Sequence, residues 1–337
     1  MEKIVFFETE EWEKEHVADA FGSEAQTTEE KLSEKNIELA KGAEVISTFI
    51  YSTLNREILS QLPNLKFIAT RSTGFDHIDL AFCKEKGIVV SNVPTYGVNT
   101  VAEHTFALIL ALSRKIIPSV EQTRKYDFSL DGLAGLELHG KTLGVIGAGN
   151  IGKRAIEIGL AFGMKILVFT RNPDDSLLKK GDIKFVSLED LLANSDVITL
   201  HVPYNDSTHY LINRGNIGKF KKGSILINTA RGGIVETQAV LDGLDQGILG
   251  GVGLDVLEEE CSVKEERELL TSEFLKTCDI KTQLLNHVLV TKENVIVTPH
   301  NAFNSREALS QILTTTVSNI KAFLSGNPQN IVSVVSI

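Results

Sequence analysis

The chain is poor in cysteine: Cys83, Cys261 and Cys278 are the only three in 337 residues. An odd number at wide spacing argues against a disulfide framework and against a zinc site, and fits reduced thiols. No metal site is expected. Blocks of Lys or Arg are also missing, and 34 basic side chains face 44 acidic ones, for a net charge of −10. Nucleic-acid affinity comes largely from neutralising phosphates, so an acidic chain without a basic patch is not expected to bind nucleic acid. Long hydrophobic runs are absent as well. The longest, FALILAL at 106–112, begins just after Glu103 and His104 and is too short to span a bilayer, so it reads as a buried helix. The first residues, MEKIVFFETEEWEKEH, turn acidic at once and lack the layout of a signal peptide. The expectation is a cytoplasmic protein with no membrane segment. There is no low-complexity stretch and no tandem repeat of fixed period.

What remains is ordinary globular material. Hydrophobic residues make up 42% and charged residues 23%, which suffices for a packed core. The length suits two domains, because single cores stop growing near roughly 250–300 residues. Short apolar runs alternate with helix-length segments. KIVFFE, AEVISTFI, LKFIAT and GIVVSNV read as strands in the first hundred residues, with NREILSQL and HIDLAFCKEK as helices between them. A long helical pattern, NTVAEHTFALILALSRKI, follows. A second alternation then runs through TLGVIG, KILVFT, KFVS, DVITLHV, SILINTA, GGVGLDV and VIVTPH. NIGKRAIEIGLAFG and SLEDLLANS lie between them as helices. Alternating strand and helix favours parallel sheets covered on both faces, and strands as apolar as DVITLHV are what such sheets require. The reading is two α/β domains. SREALSQILTTTVSNIKAFLSG is a long amphipathic helix that can pack on the second domain or return to the first. The charged, helix-like region from Ser262 to Asn294 interrupts the rhythm, and periodicity assigns it no role.

TLGVIGAGNIG places Gly147, Gly149 and Gly152 in a G-x-G-x-x-G arrangement between an apolar strand and a helix. Gly147 permits the tight turn, Gly149 lets backbone approach a pyrophosphate, and Gly152 lets helix pack on strand. The helix N-terminus then offers N–H groups and a positive dipole end to phosphate. Glycines also cluster in ordinary turns; the strand–loop–helix–strand context is what favours a dinucleotide. About 20 residues on, such a site normally carries an acid that binds the adenosine ribose. Here LVFTRNP offers Thr170 and Arg171. Without the carboxylate a 2′-phosphate is not repelled, and Arg171 can pair with one. The alternative is that Arg171 points to solvent or over the adenine with NAD(H) bound. The cofactor is therefore NAD(H) or NADP(H), with Thr170 and Arg171 tilting the balance to NADP(H).

Three groups stand at strand ends in the second half. They are Arg231 in INTARGG, the acids of GLDVLEEE (Asp255, Glu258, Glu259 and Glu260), and His300 in VTPHNAF. Ligands bind outside the carboxyl ends of strands in open parallel sheets, so these residues face the edge that carries the glycine loop. Arginine grips a carboxylate in bidentate fashion. Histidine exchanges a proton near neutral pH, and a carboxylate beside it favours its charged form. Singly, Arg231 reads equally well as a strand cap, the glutamates as a solvated run and His300 as a structural histidine. Together, downstream of a nucleotide loop, they suit hydride transfer between a 2-hydroxy and a 2-keto acid.

These motifs resemble the D-isomer-specific 2-hydroxyacid dehydrogenases, and most of all their D-lactate dehydrogenase branch. ELHGKTLGVIGAGNIG, LHVPYNDSTHYLIN, INTARGG, GLDVLEEE and VTPHNAF occur in the family's order, and TRSTGFDHIDL and NVPTYGVNTVAEHTFALILAL extend the match over nearly the whole chain. The resemblance implies two doubly wound parallel-sheet domains: a Rossmann-type NAD(P)-binding domain over 100–300, and a discontinuous flavodoxin-like substrate domain over 1–99 plus 301–337, with a cleft that closes over substrate. It implies that Arg231 binds the substrate carboxylate, that His300 exchanges the proton, and that Glu260, five residues beyond Asp255, supports His300. Ser72, Thr73 and Gly74 would cradle the carboxylate and Tyr96 would line the pocket. Asn150, Ile151, Val202, Pro203, Thr208, Thr229, Ala230 and Asp255 would contact the cofactor. A homodimer is implied as well. Pyruvate is the first choice of substrate. Hydroxypyruvate, glyoxylate and branched 2-keto acids stay open, since a methylene discriminates by only about 1–3 kcal/mol. A dinucleotide-sensing corepressor of the C-terminal-binding-protein type is the reading from another class.

Overall fold

A computed structural model of the chain describes residues 3–259 and 279–332. It divides into two compact units, Met1–Tyr96 with Asn304–Ile337, and Gly97–Phe303.

The first unit is built on β1 (Ile4–Phe6), β2 (Ala25–Thr27), β3 (Val45–Thr48), β4 (Phe67–Thr70) and β5 (Val89–Ser91), all parallel in the order β2-β1-β3-β4-β5. That is the flavodoxin-like order. Side chains alternate across each strand, and both faces are buried. Val5, Phe7, Ile46, Ile68 and Val90 enter one core. Ile4, Phe6, Val45, Phe67 and Ala69 enter the other, with Val17 and Phe21 of α1 (Glu11–Phe21). β2 has no sequence signal: AQT is short, polar and at the sheet edge. Two short helices, α2 (Arg56–Ser60) and α3 (Leu80–Lys86), cover the first core.

The second unit contains a seven-stranded sheet. Its strands are β6 (Thr142–Ile146), β7 (Lys165–Phe169), β8 (Ile183–Phe185), β9 (Val197–Leu200), β10 (Ser224–Asn228), β11 (Leu249–Leu254) and β12 (Val295–Val297). All pair in parallel, in the order β12-β11-β10-β9-β6-β7-β8. This is the doubly wound dinucleotide-binding order extended by one strand, and the order reverses between β6 and β9. The loops leaving those two strands therefore flank the crevice where such folds bind ligands.

The long pattern at 99–116 forms one helix, and a second begins at its last residue. α4 (Val98–Ser113) buries Phe106, Leu108, Ile109 and Leu112 against the sheet. Lys115 then takes a left-handed conformation (φ 54°), and α5 (Ile116–Arg124) buries nothing. The returning chain meets the helix end there: Leu136 N–H donates to the Ser113 carbonyl at 2.6 Å. Further on come α6 (Asn150–Ala161), α7 (Leu188–Asn194), α8 (Thr237–Asp245) and α9 (Ile280–Val290), the last being the helical end of the charged region. The rest of that region, 262–278, lies outside the described residues, as do Cys261 and Cys278. The final helix, α10 (Arg306–Leu324), packs on the first unit: Leu313 and Ile320 join its core, and the Phe323 ring stacks on Phe67 at 4.4 Å. Among the described residues, no helix is long and apolar enough to cross a membrane.

Candidate active site

The glycine loop has the geometry its spacing predicts. Gly147 sits at φ 97°, and a Cβ there would stand 2.6 Å from the His201 carbonyl oxygen. A Cβ on Gly152 would stand 1.9 Å from the Gly147 oxygen, so helix and loop touch backbone to backbone. Gly149 differs: a Cβ there would meet nothing within 4 Å. No contact within the protein demands glycine at this position, and the space beside it is open. Gly149 is also the N-cap of α6 and carries no side chain to cap it. The N–H groups of Asn150, Ile151 and Gly152 then receive no capping side chain. Beside the loop, His201 N–H donates to Ile146 O at 2.7 Å, and burial pushes the imidazole down to about 4.

At the end of β7, Thr170 is partly buried and Arg171 exposed. Arg171 does not simply reach into solvent: its Nη2 donates to Ser207 Oγ at 2.8 Å. Asp174 pairs with Lys153 of α6 at 2.6 Å, and mainly through that bond its carboxyl falls to about 2. On the loop after β9, which begins with Val202 and Pro203, Thr208 donates through its hydroxyl to Pro203 O (2.7 Å) and accepts from Asn205 N–H (2.9 Å). It shapes that loop with its own side chain. Thr229 lies 3.0 Å from Thr105, hydroxyl to hydroxyl, and Ala230 N–H donates to Asn228 Oδ1 at 3.0 Å.

Arg231 follows β10 in extended conformation, with Nη1 donating to Ala230 O at 2.8 Å. His300 follows β12 and holds φ 51°, a left-handed conformation uncommon outside glycine. Its N–H donates to the Asp255 carbonyl at 2.8 Å. The Asp255 carboxylate, 1% exposed, accepts from Thr298 Oγ1 (2.5 Å), Asn301 N–H (2.9 Å) and Ala302 N–H (2.8 Å). His104 of α4 stands 3.6 Å from the same carboxylate. Asp255 thus clamps the His300 segment from both sides of the histidine.

The three glutamates separate. Glu258 is buried and accepts from Tyr210 Oη and Thr237 N–H. Glu259 accepts from Asp279 N–H at 2.8 Å, just before α9. Both carboxylates are engaged in tying loops to helix ends. Glu260 lies outside the described residues.

In the first unit, the loop leaving β4 carries Ser72, Thr73 and Gly74. Ser72 Oγ donates to Gly74 O (2.6 Å), Thr73 Oγ1 to Val93 O (2.8 Å), and Asn92 Nδ2 to Thr73 O (2.8 Å). The hydroxyls and carbonyls turn inward. No bond from the three N–H groups to an acceptor is seen among the described residues. Arg71, just before it, was not singled out by its sequence position. Its guanidinium is 2% exposed, donates to Phe7 O and Glu8 O at 2.8 and 2.6 Å, and meets Glu13 at 3.4 Å. Tyr96 is the last residue of the unit's first segment and is partly buried.

A doubly wound sheet, an uncapped glycine-flanked helix at its crossover, and arginine and histidine at the ends of β10 and β12, the strands either side of β11, define a dinucleotide-dependent oxidoreductase. The model of the D-isomer specific 2-hydroxyacid dehydrogenase, NAD binding domain, matches residues 106–302. The D-lactate dehydrogenase of Escherichia coli (strain K12) is 34% identical over 323 residues, 94% of this chain and 95% of that protein. The aromatic 2-oxoacid reductase of Clostridium sporogenes (strain ATCC 15579) is 37% identical over 295 residues, 87% of this chain and 86% of that one. The crystal structure of the Aquifex aeolicus D-lactate dehydrogenase, complexed with NAD and lactic acid, superposes with a TM-score of 0.87 at 40% identity, covering 96% of each chain. This chain belongs to the D-isomer-specific 2-hydroxyacid dehydrogenase family, and residues 106–302 are its NAD-binding domain.

Proposed function

We propose that the protein reduces pyruvate to D-lactate in the cytoplasm, as a homodimer. The observation that carries the catalytic reading is His300, kept in a left-handed conformation by a buried carboxylate on the sheet that bears the nucleotide loop. A loop residue held against its backbone preference marks a functional position. The dinucleotide, bound by its pyrophosphate at Gly149, Asn150 and Ile151, supplies the hydride when present. Arg231 grips the substrate carboxylate and polarises the neighbouring carbonyl. His300 gives its proton to the keto oxygen in reduction and recovers it in oxidation, and Glu260 keeps the ring protonated. The engagement of Glu258 and Glu259 elsewhere supports Glu260 in that role.

Two features support finer readings. Thr170 takes away the carboxylate that would repel a 2′-phosphate, and Arg171, bonded to Ser207, supplies a cation at the same strand end, which tilts the choice between NAD(H) and NADP(H) toward NADP(H). Tyr126, Phe128 and Leu130 are 90%, 74% and 83% exposed, and Ile116, Ile117 and Val120 of α5 are exposed as well. Exposed apolar side chains in this number suit a surface that a second subunit covers. The similarity to an aromatic 2-oxoacid reductase favours phenylpyruvate as the second substrate to try.

The test is initial rates of pyruvate and phenylpyruvate reduction with NADH and NADPH, with chiral analysis of the product. Rapid formation of D-lactate supports the proposal, and the NADH to NADPH ratio decides the role of Arg171. Turnover of phenylpyruvate alone moves the substrate class. No turnover of any 2-keto acid refutes the reductase reading.

A further inference from the structure

The turn that presents Arg231 is fixed from three directions. Asn228, 1% exposed, donates through Nδ2 to the Arg231 carbonyl at 2.8 Å and accepts from Ala230 N–H. Gly232 lies so close to the chain after β11 that a Cβ would stand 1.7 Å from the Leu257 oxygen. The Gly233 carbonyl accepts from Tyr210 N–H at 2.9 Å. Tyr210 itself holds φ 46°, a conformation costly for an aromatic residue, so something must fasten it. That fastening is Glu258. Its Oε1 accepts the Tyr210 phenol, its Oε2 accepts Thr237 N–H at the start of α8 (2.8 Å), and its carbonyl accepts Asn286 Nδ2 of α9 (2.9 Å). One buried carboxylate therefore joins the loop after β9, the first turn of α8 and the chain pressed on Gly232. The phenol's acidity is suppressed, first by its bond to Glu258, so Tyr210 stays a donor across the working pH range.

We propose that Tyr210 and Glu258 are positioning residues for Arg231, holding its turn where the guanidinium meets the substrate carboxylate. The inference rests on reading Arg231 as the carboxylate-binding residue. Neither Tyr210 nor Glu258 needs to touch substrate or dinucleotide. A bidentate arginine grip tolerates only small displacements. Removing the phenolic hydroxyl takes a donor from a buried carboxylate and frees Tyr210 to leave its strained conformation. The Gly233 carbonyl and the Arg231 turn then lose their brace.

The experiment compares Tyr210→Phe, Glu258→Gln and Glu258→Ala with Arg231→Gln, reading KM for pyruvate, kcat, and NADH affinity by fluorescence titration. Tyr210→Phe and Glu258→Ala are expected to raise KM about tenfold while NADH affinity stays within about twofold. Glu258→Gln keeps an oxygen for Thr237 N–H and a polar partner for the phenol, and is expected to restore most of the affinity. The double variant Tyr210→Phe/Arg231→Gln should be no worse than Arg231→Gln alone, because the brace has nothing left to position. A merely structural role would lower the melting temperature and kcat through loss of folded enzyme and leave KM unchanged, which overturns the proposal. If Arg231→Gln itself leaves KM unchanged, the reading of Arg231 fails and the inference with it. If Arg231→Gln raises KM and the brace variants do not, only the inference fails. Should Tyr210→Phe not fold, Glu258→Gln against Glu258→Ala still decides the matter by KM.

Discussion

Replacing Asp255 with Asn separates two roles that one buried carboxylate can play. The carboxylate receives Thr298 Oγ1 and Asn301 N–H on one oxygen and Ala302 N–H on the other. The best placement of an amide keeps its oxygen on the first pair and turns its nitrogen to Ala302. That breaks one charge-assisted bond, worth about 1.5–3 kcal/mol, and sets donor against donor at a buried N–H, a further ~1–3 kcal/mol. The sum is about 2.5–6 kcal/mol. In a domain of some 200 residues this lowers the melting temperature by roughly 10 °C, at about 2–4 °C per kcal/mol. His300 should suffer directly, since its left-handed conformation depends on the flanking clamp. Thermal unfolding by circular dichroism, with steady-state kinetics and NADH titration, reads all three effects. The expected pattern is a large drop in melting temperature and in kcat, with NADH affinity nearly kept. A variant that melts within about 1 °C of wild type and keeps its kcat would refute the clamp. Weakened NADH affinity at unchanged stability would instead assign Asp255 to the cofactor.

Three further outcomes are expected. Gly149→Ala should fold with wild-type stability but bind NADH more weakly, because its Cβ meets no protein atom within 4 Å; Gly152→Ala should be destabilised, because its Cβ would stand 1.9 Å from the Gly147 oxygen. Denaturant titrations and cofactor binding on both proteins check this. His201 has its native value depressed from 6.5 to about 4, so it stabilises fully above pH 6.5 and loses that contribution as pH falls toward 4. The unfolded chain takes the proton first, at a cost of at most about 3 kcal/mol by pH 4. His201→Asn should therefore flatten the stability profile between pH 6.5 and 4, and parallel profiles would show that burial does not perturb the ring. Phe128→Asp with Leu130→Asp should give a monomer by light scattering if the exposed apolar surface is a subunit interface; an unchanged mass would place the interface elsewhere.

Much of the fold is legible in the sequence because burial on both faces makes parallel strands nearly continuous in apolar residues. KILVFT and SILINTA could hardly be anything else. The edge strand Ala25–Thr27 escaped because an edge strand of three residues needs no apolar signal. The helical pattern at 99–116 was legible because α4 buries Phe106, Leu108, Ile109 and Leu112, whereas the helix after it, Ile116–Arg124, buries nothing and left no apolar signal. The amphipathic helix at the C-terminal end left two partners open, because an apolar stripe states that a surface is covered and not which one.

The site divides in the same way. Sequence alone determined the glycine loop, the missing acid at Thr170, and the order of Arg231, Asp255 and His300 along successive strand ends, because these depend on local spacing and on the polarity of a parallel sheet. Tertiary structure decided what the carboxylates do. Asp255 grips residues 298–302, and Glu258 and Glu259 are committed to Tyr210, Thr237 and Asp279. A carboxylate's partners are set by which donors the fold carries to within 3 Å, and that distance is not written in the spacing of residues along one chain segment.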